Sequence, residues 1–217
     1  GCIQEVEKYF TDNPDSLDMV QGPIIWDKLD SGATHFGDDW DCEMWGKWCY
    51  DEREKLGLPF EIPMMGLGLF AMRKEAWPGF NPKFRGFGAE EGYIHEKVRR
   101  RGGKCVCLPK AGWVHMFNDP DDRTQISYRL DVRDKIANYL LGFRELGMDE
   151  TPVHRHFKST AQEWAYLEGV RAADQACKSS GSVTAPGKVS CIMLTYGRLG
   201  IPSQQIMVEE SVQSFLQ

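Results

Sequence analysis

The chain has 217 residues and a formal net charge of −6 at pH 7, and 41 % of its side chains are hydrophobic. This length and hydrophobic content are sufficient for a buried core, while the mildly acidic balance provides no basic field for a nucleic-acid partner. No apolar run approaches the roughly 20 residues that cross a bilayer, so the sequence predicts no transmembrane segment.

The first part of the chain is predicted to contain short, separated elements. Helical spacing indicates a helix from Glu5 to Phe10, and an apolar run indicates a strand within Asp18 to Ile25. Residues Trp40 to Trp48 are aromatic and contain glycine, which favours an irregular loop or lid. The continuous apolar character of Met64 to Met72 predicts a buried strand, and Lys74 to Trp77 is predicted as one turn of helix.

A glycine-rich turn followed by two adjacent carboxylates is the most informative feature of the chain. The turn runs from Gly86 to Ala89, and Glu90 and Glu91 begin a predicted helix that ends at Gly102-Gly103. Adjacent carboxylates raise each other's pKa, whereas a helix N-terminus lowers the pKa of both, so the net direction is left open here. Such a pair suits a general base, although it can also simply cap a helix.

The second half of the chain is predicted to be a strand, then helices, then a linker. Lys104 to Leu108 alternates as a strand, and an apolar stripe from Ile126 to Leu146 predicts a helix. A further helical pattern lies around Trp164 to Val170, and residues 178–187 have the composition of a linker. Residues 188–217 are predicted to form a strand, a turn and a helix, which is how an α/β unit begins.

The cysteines favour an intracellular protein. There are seven of them, an odd number, and their positions lack the spacing of a zinc ribbon. They are Cys2, Cys42, Cys49, Cys105, Cys107, Cys177 and Cys191. Reduced thiols are typical of the cytoplasm, so the sequence predicts a cytoplasmic location, with peripheral attachment to a membrane left open.

Three segments in order carry a resemblance to one group of enzymes: Gly66–Lys74, Trp77–Asn81 and Phe84–Glu91. Together they are similar to the acceptor half of GT-A-fold glycosyltransferases, most of all to family 2 and to the galactosyltransferase and polypeptide N-acetylgalactosaminyltransferase groups. Those groups carry a W-G-G-E-D or W-G-G-E-N motif where this chain has F-G-A-E-E. Ala89 departs from the second glycine, and Glu91 departs from the final Asp or Asn by an additional methylene group.

A second segment, Trp113–Phe117, is similar to the histidine segment of the same family. The histidine there often completes metal coordination, so the resemblance makes His115 a candidate ligand for Mn²⁺ or Mg²⁺. A buried, hydrogen-bonded histidine is the alternative. The family's metal-binding Asp-x-Asp is expected ahead of Gly1, and Asp39-Trp40-Asp41, which has the same spacing, is interpreted as part of a solvated loop.

A third segment, Val189–Arg198, resembles the first strand and nucleotide-binding turn of family 2 enzymes, with Leu194 and Gly197 in place of the family's Pro and Asn. The match implies nucleotide binding by Thr195, Tyr196 and Arg198. We therefore expect a fragment of a tandem protein. Its expected parts are an acceptor-side half of a GT-A domain at 1–147, a helical segment and linker at 148–187, and the start of a second family 2-like domain at 188–217.

The resemblance implies an α/β fold, the C-terminal half of a Rossmann-like GT-A domain followed by the first βα unit of a second one. It also implies transfer of a hexosyl unit from a nucleotide-diphospho-sugar to a hydroxyl of a glycan-type acceptor, with inversion favoured. Glu91 is the predicted catalytic base, and Glu90 is predicted to orient hydroxyl groups. The predicted substrate-binding residues are Gly66, Gly68, Gly86, Phe87, Gly88 and Trp113.

Two other functions are left open by the sequence. A non-catalytic carbohydrate-binding or scaffold segment of a larger glycosyltransferase is the main alternative, because no Asp-x-Asp is found in its expected place. A metal-dependent hydrolase that uses Glu91 and His115 is the second. Trp45 and Trp48 could stack on sugars, and core packing is an equal alternative for both. His95, His154 and His156 are interpreted as structural or surface residues.

Overall fold

The computed structural model describes residues 1–26, 32–115 and 130–178. Over these ranges the chain is a mixed α/β fold with small sheets. The helices are α1 (Cys2–Asp12), α2 (Glu90–Arg100), α3 (Val132–Glu145), α4 (Thr151–Thr160) and α5 (Glu163–Lys178). The strands are β1 (Met19–Gln21), β2 (Ile24–Trp26), β3 (Gly32–Ala33), β4 (His35–Asp41), β5 (Met44–Cys49), β6 (Phe60–Glu61), β7 (Cys105–Cys107) and β8 (Trp113–His115).

Two small sheets each join an N-terminal strand to a strand that follows α2. β1 lies parallel to β7, with Met19 opposite Cys105, and β6 pairs antiparallel with β7. β2 lies parallel to β8, with Ile24 opposite Trp113, and β3 pairs antiparallel with β2. Parallel strands need a long crossover connection, and α2 lies within both connections. Its position is therefore fixed relative to both sheets.

The helices α1 and α2 and the strand β7 confirm three predicted elements, with ends that differ by a few residues. The predicted helical turn is confirmed as a 3₁₀ turn at Lys74–Ala76. The strand predicted within Asp18 to Ile25 is two strands, β1 and β2, which belong to different sheets. Gly22-Pro23 lies between them, and proline cannot donate to a sheet ladder.

The prediction of an irregular loop from Trp40 to Trp48 is wrong, because β4 and β5 form an antiparallel hairpin there. Cys42 occupies its turn at φ 50°, and the register shifts between Gly37 and Trp40. Asp39 and Asp41 therefore lie on a strand and not in a loop. Their side chains are exposed, as was predicted.

The prediction of a continuous strand from Met64 to Met72 is also wrong. Isolated bridges pair Met64 with Phe36 and Ala71 with Val20, and the residues between them form no ladder. Met64 and Met65 are fully buried. The apolar run therefore predicted burial correctly but predicted the strand wrongly. A short apolar run alone does not distinguish a strand from other buried conformations.

The buried residues form two main cores that meet at α2. One lies between the β4–β5 hairpin and α3, α4 and α5, and includes Trp45 and Leu140. The other lies between the sheets and α2, and includes Met19 and Ile94. Ala89, just before α2, belongs to the first core. The first turn of α2 consequently lies at the junction of both cores.

The boundaries predicted at residues 147 and 187 stay predictions. Residues of α4 and α5 share a core with α3, among them Val153, Phe157 and Ala173. Residues 188–217, and with them Thr195, Tyr196 and Arg198, lie outside the described part of the chain. None of the helices in the described ranges has the length and apolar character that a membrane crossing requires.

Candidate functional site

The loop before α2 has an unusual backbone. Gly86, Gly88 and Ala89 have φ angles of 60°, 103° and 77°. Glycine adopts such angles readily, whereas alanine at a positive φ carries strain on the order of 1 kcal/mol. Ala89 is also the N-cap residue of α2 and offers no side-chain hydrogen bond to the helix. The loop thus holds the N-terminus of α2 in place without the usual polar cap.

Asn138 of α3 holds this loop in place. Its Oδ1 accepts a hydrogen bond from the backbone N–H of Arg85 at 2.9 Å, and its Nδ2 donates to the carbonyls of Arg85 at 2.8 Å and Gly88 at 3.1 Å. Asn138 is 3 % exposed, so these bonds form away from water and are costly to lose. The sequence analysis did not single out Asn138. It could have been found as a polar residue within the apolar stripe of a predicted helix.

Glu90 and Glu91 are half-buried at the start of α2. Burial raises the pKa of Glu90, against the backbone N–H groups of Glu90 and Gly88, which lower it. Burial first, and then the adjacent Glu90 carboxylate, raise the pKa of Glu91 to about 8, while a hydrogen bond from its own backbone N–H and then the positive charge of Lys135 lower it. In the described part of the chain neither carboxylate forms an ion pair. The pair can therefore take up a proton near neutral pH, which is the property of a general base.

Lys135 of α3 lies beside the pair and carries the positive charge that acts on both carboxylates. Its aliphatic chain packs over Gly88, where an added Cβ would lie 2.8 Å from Lys135 Cγ. Its Nζ lies 3.0 Å from a carboxylate oxygen of Glu43, in the turn of the β4–β5 hairpin. Lys135 therefore connects the hairpin to the glycine loop next to the acid pair.

Trp45 and Tyr139 form the apolar side of the site. A Cβ added at Gly92 would lie 2.4 Å from Trp45 Cε3, so the indole ring rests directly on the helix next to Glu91. The backbone N–H of Trp45 donates to Tyr139 Oη at 2.7 Å. Burial, and then the charge of Glu91, raise the pKa of Tyr139. Trp45 is 8 % exposed, which favours the core-packing alternative over sugar stacking.

A buried polar network lies beneath the pair. The Nδ1 of His95 donates to the Glu91 carbonyl at 2.6 Å, and its Nε2 accepts from the backbone N–H of Met65 at 3.2 Å. Gln21 of β1 donates from its Nε2 to the Gly66 carbonyl at 2.9 Å, and its Oε1 packs 3.0 Å from His95 Nε2 without a hydrogen bond, because both atoms are acceptors. Burial lowers the pKa of His95 to about 4, so the ring is neutral near pH 7.

The predicted substrate-binding residues lie in two groups. Gly86, Phe87 and Gly88 form the loop ahead of the acid pair, and Phe87 is 39 % exposed. In the other group Gly68 lies against Trp113, because a Cβ at Gly68 would be 2.6 Å from Trp113 Cη2. Gly66 lies next to Met65, whose backbone N–H donates to His95, and His95 in turn donates to the Glu91 carbonyl. Their roles in substrate binding remain predictions.

The predicted metal ligand His115 lies on β8, where its backbone pairs with Trp26. Its side chain lies outside what the structure describes, so its role also stays a prediction. Over the described residues no group of three or more His, Cys, Asp or Glu side chains could hold a metal ion. These residues alone do not fit a Mn²⁺ or Mg²⁺ site, and we derive no chemical step through such an ion.

His154 and His156 of α4 contact protein groups in the structure. The Nδ1 of His154 lies 2.8 Å from Tyr166 Oη, and the Nε2 of His156 donates to the Cys42 carbonyl at 2.6 Å. A cavity of about 690 Å³ is lined by Trp45 and by residues of α2 beyond its first turn, including Glu96 and Arg99. It includes neither Glu90 nor Glu91, so we place the candidate site by the acid pair and not by this cavity.

No family model and no curated protein matches the sequence. Among solved structures, the chain is similar to a crystal structure of GalNAc-T7 with UDP, GalNAc and Mn²⁺. The TM-score is 0.48 and the sequence identity is 15 %, and the match covers 76 % of this chain but 35 % of that one. The chain thus spans about a third of the length of that structure. We base no assignment of activity or substrate on a similarity at this level.

Proposed function

We propose that the chain is part of a glycosyltransferase that moves a hexosyl unit from a nucleotide-diphospho-sugar to a hydroxyl of a glycan-type acceptor. The observation that carries the proposal is the half-buried pair Glu90 and Glu91, which has a raised pKa and forms no ion pair among the described residues. The pair supports the proton-accepting role. The substrate class rests on the resemblance of Gly66–Glu91 and Trp113–Phe117 to GT-A enzymes.

In the proposed reaction the carboxylate of Glu91 accepts the proton of the acceptor hydroxyl. The hydroxyl oxygen forms a bond to the anomeric carbon of the donor sugar, and the bond from that carbon to the diphosphate oxygen breaks. The nucleoside diphosphate leaves with the bonding electrons, and the sugar inverts its configuration. Glu90 orients a hydroxyl of the acceptor or of the sugar, and Tyr139, Trp45 and Lys135 set the polarity around the pair.

The raised pKa of Glu91 agrees with this role. A base with a pKa near the working pH balances the fraction that is ionised against the strength with which it holds a proton. Donor and acceptor must also be held in line, which a pair fixed at the junction of two cores can achieve. The exposed Phe87 and the backbone of Gly86 and Gly88 lie on the same loop as the pair and are the proposed contacts to the sugar.

The proposal is tested by replacing Glu91 with Gln in the full chain. The variant is offered a panel of nucleotide-diphospho-sugars and saccharide acceptors, and the release of nucleoside diphosphate is measured with Mg²⁺ or Mn²⁺ present. We expect loss of at least about a hundredfold in rate, with donor binding by calorimetry unchanged. Full activity in this variant would remove Glu91 as the base.

Glu96→Gln is the matched control, because Glu96 lies on the same helix and its carboxylate is bonded to Arg99 and Arg100. It is expected to retain wild-type transfer. Two results would favour the other functions. Wild-type protein without metal-dependent donor binding would point to a carbohydrate-binding or scaffold segment, and release of free sugar without an acceptor would point to a hydrolase.

A further inference from the structure

Gln21 and His95 are two buried polar side chains, among the described residues, that the proposed chemistry does not use. Gln21 is 2 % exposed and His95 is 0 % exposed. Burying two such groups is unfavourable unless each finds hydrogen-bond partners. Gln21 of β1 donates to the Gly66 carbonyl, and His95 is hydrogen-bonded to the Met65 backbone N–H and to the Glu91 carbonyl. His95 therefore joins the Met65 segment to the first turn of α2.

The geometry fixes which ring nitrogen of His95 carries the proton. Nδ1 lies 2.6 Å from the carbonyl oxygen of Glu91, which can only accept, so Nδ1 is the donor. In the neutral ring Nε2 is then an acceptor, and it receives the backbone N–H of Met65. The Glu91 carbonyl lies in the first turn of α2, where it ordinarily accepts one helical N–H. His95 adds a second donor there.

The other side of the His95 ring is held by the segment before Gly66. Met65 donates its backbone N–H to His95 Nε2 at 3.2 Å, and Met64 is bridged to Phe36 of β4. Gln21 Oε1 lies 3.0 Å from the same Nε2, but both atoms are acceptors, so this is a packing contact and not a hydrogen bond. A chain of contacts therefore runs from β4, through the Met64–Met65 backbone and His95, to the backbone of Glu91.

We propose that His95 is a positioning residue that holds the carboxylate of Glu91 at a fixed depth and distance from the Met65–Gly66 segment. An apolar side chain of the same size would fill the space but would not fix the first turn of α2 along its axis. The inference rests on the proposed function, because positioning has a purpose only if Glu91 reacts. The depth of the carboxylate can nevertheless be measured without any activity.

The test compares wild type, His95→Leu and His95→Asn by a ¹³C NMR titration of the Glu91 carboxyl group, assigned with Glu91→Gln. Loss of the network is expected to let water reach the first turn of α2. In His95→Leu the midpoint should fall by at least about one pH unit. In His95→Asn a side-chain donor to the Glu91 carbonyl is retained, so the fall should be smaller.

The other titratable groups that act on Glu91, namely Glu90, Lys135 and Tyr139, are unchanged in these variants. Val153→Ala is the control, because it removes buried volume in α4 away from the network. It is expected to lower thermal stability and to leave the midpoint unmoved. A midpoint in both His95 variants that equals the wild-type value overturns the proposal. If His95→Leu does not fold, His95→Phe, which also lacks a donor, takes its place, and an unmoved midpoint in that variant overturns the proposal.

A second measurement separates this inference from the proposed function. In the transfer assay the His95 variants are expected to lower kcat about tenfold or more with little change in KM. A moved midpoint without transfer by wild type would contradict the proposed function and leave the positioning intact. Transfer by wild type with an unmoved midpoint would contradict the positioning and leave the function intact.

Discussion

Replacing Glu91 by Gln is expected to make the folded chain more stable, by an amount that grows with pH. In the folded chain burial, and then Glu90, raise the pKa of Glu91 from 4.5 to about 8. The folded state therefore favours the protonated form, and the stability that comes from this proton is lost as the pH rises from 4.5 through about 8. Gln carries no charge at any pH, so the variant does not undergo this loss.

The magnitude follows from the size of the shift. Each pKa unit corresponds to about 1.4 kcal/mol, so a shift from 4.5 to about 8 sets an upper limit of about 5 kcal/mol. Both carboxylates are only half-buried, and solvent screening reduces an interaction of this kind. We expect a gain in the free energy of unfolding of about 2 kcal/mol near about pH 9, and almost none near about pH 5.

The assay is urea unfolding of wild type, Glu91→Gln and Glu96→Gln at both pH values. Glu96 is the control, because Arg99 and Arg100 donate to its carboxylate at 3.1 and 2.8 Å. Its removal should leave stability unchanged or slightly lower at both pH values. If Glu91→Gln is less stable than wild type at the higher pH, the carboxylate is a bonded helix cap and the reasoning for a base is refuted.

Three further predictions concern the same site. Ala89→Gly is expected to raise the free energy of unfolding by about 0.5 to 1 kcal/mol, because Ala89 has φ 77°, and a loss of stability on thermal unfolding would contradict this. Asn138→Ala is expected to lower the free energy of unfolding by about 2 to 3 kcal/mol in urea, because Arg85 and Gly88 lose a buried partner. A cost below about 0.5 kcal/mol would argue against a role of Asn138 in holding the glycine loop. The transfer rate at low substrate concentration should rise with pH through about 8 and then level off, because only ionised Glu91 accepts a proton. A rate that falls over this range would contradict the role of Glu91.

The sequence predicted the helices better than the irregular and hairpin regions, for identifiable reasons. α2 was predicted because its start, its apolar spacing and its terminal Gly102-Gly103 agree. The hairpin of β4 and β5 was missed because its turn, around Cys42, lacks the Asn-Gly or Asp-Gly signal that marks a two-residue turn. Trp40 and Trp45 on this hairpin pack against helices more than 90 positions later in the chain, such as α3 at Tyr139. Packing over this separation cannot be recognised from the sequence around the hairpin.

The candidate site was predictable in its acid pair but not in its surroundings. Glu90 and Glu91 follow a glycine turn, and that pattern is visible in the sequence. The net direction of their pKa shift was not, because it depends on how deeply the fold buries the two carboxylates. The network of His95 could not be predicted either, since its partner Met65 is 30 positions away. Long-range polar pairs of this kind need the fold before they can be recognised.

The N-terminus of α2 combines several features that are locally unfavourable. They help to decide whether the acid pair is simply a helix cap. A capping carboxylate accepts backbone N–H groups, gains from the helix dipole and has a lowered pKa. The Glu91 carboxylate also accepts a backbone N–H, but burial and the Glu90 charge outweigh that bond and leave its pKa raised. The N-cap position holds Ala89 at a positive φ without a side-chain bond. Asn138 and His95 supply buried hydrogen bonds that offset these costs. Locally unfavourable conformations that the surrounding fold maintains are typical of functional sites. Their presence here supports the proposal that the acid pair is the reacting group.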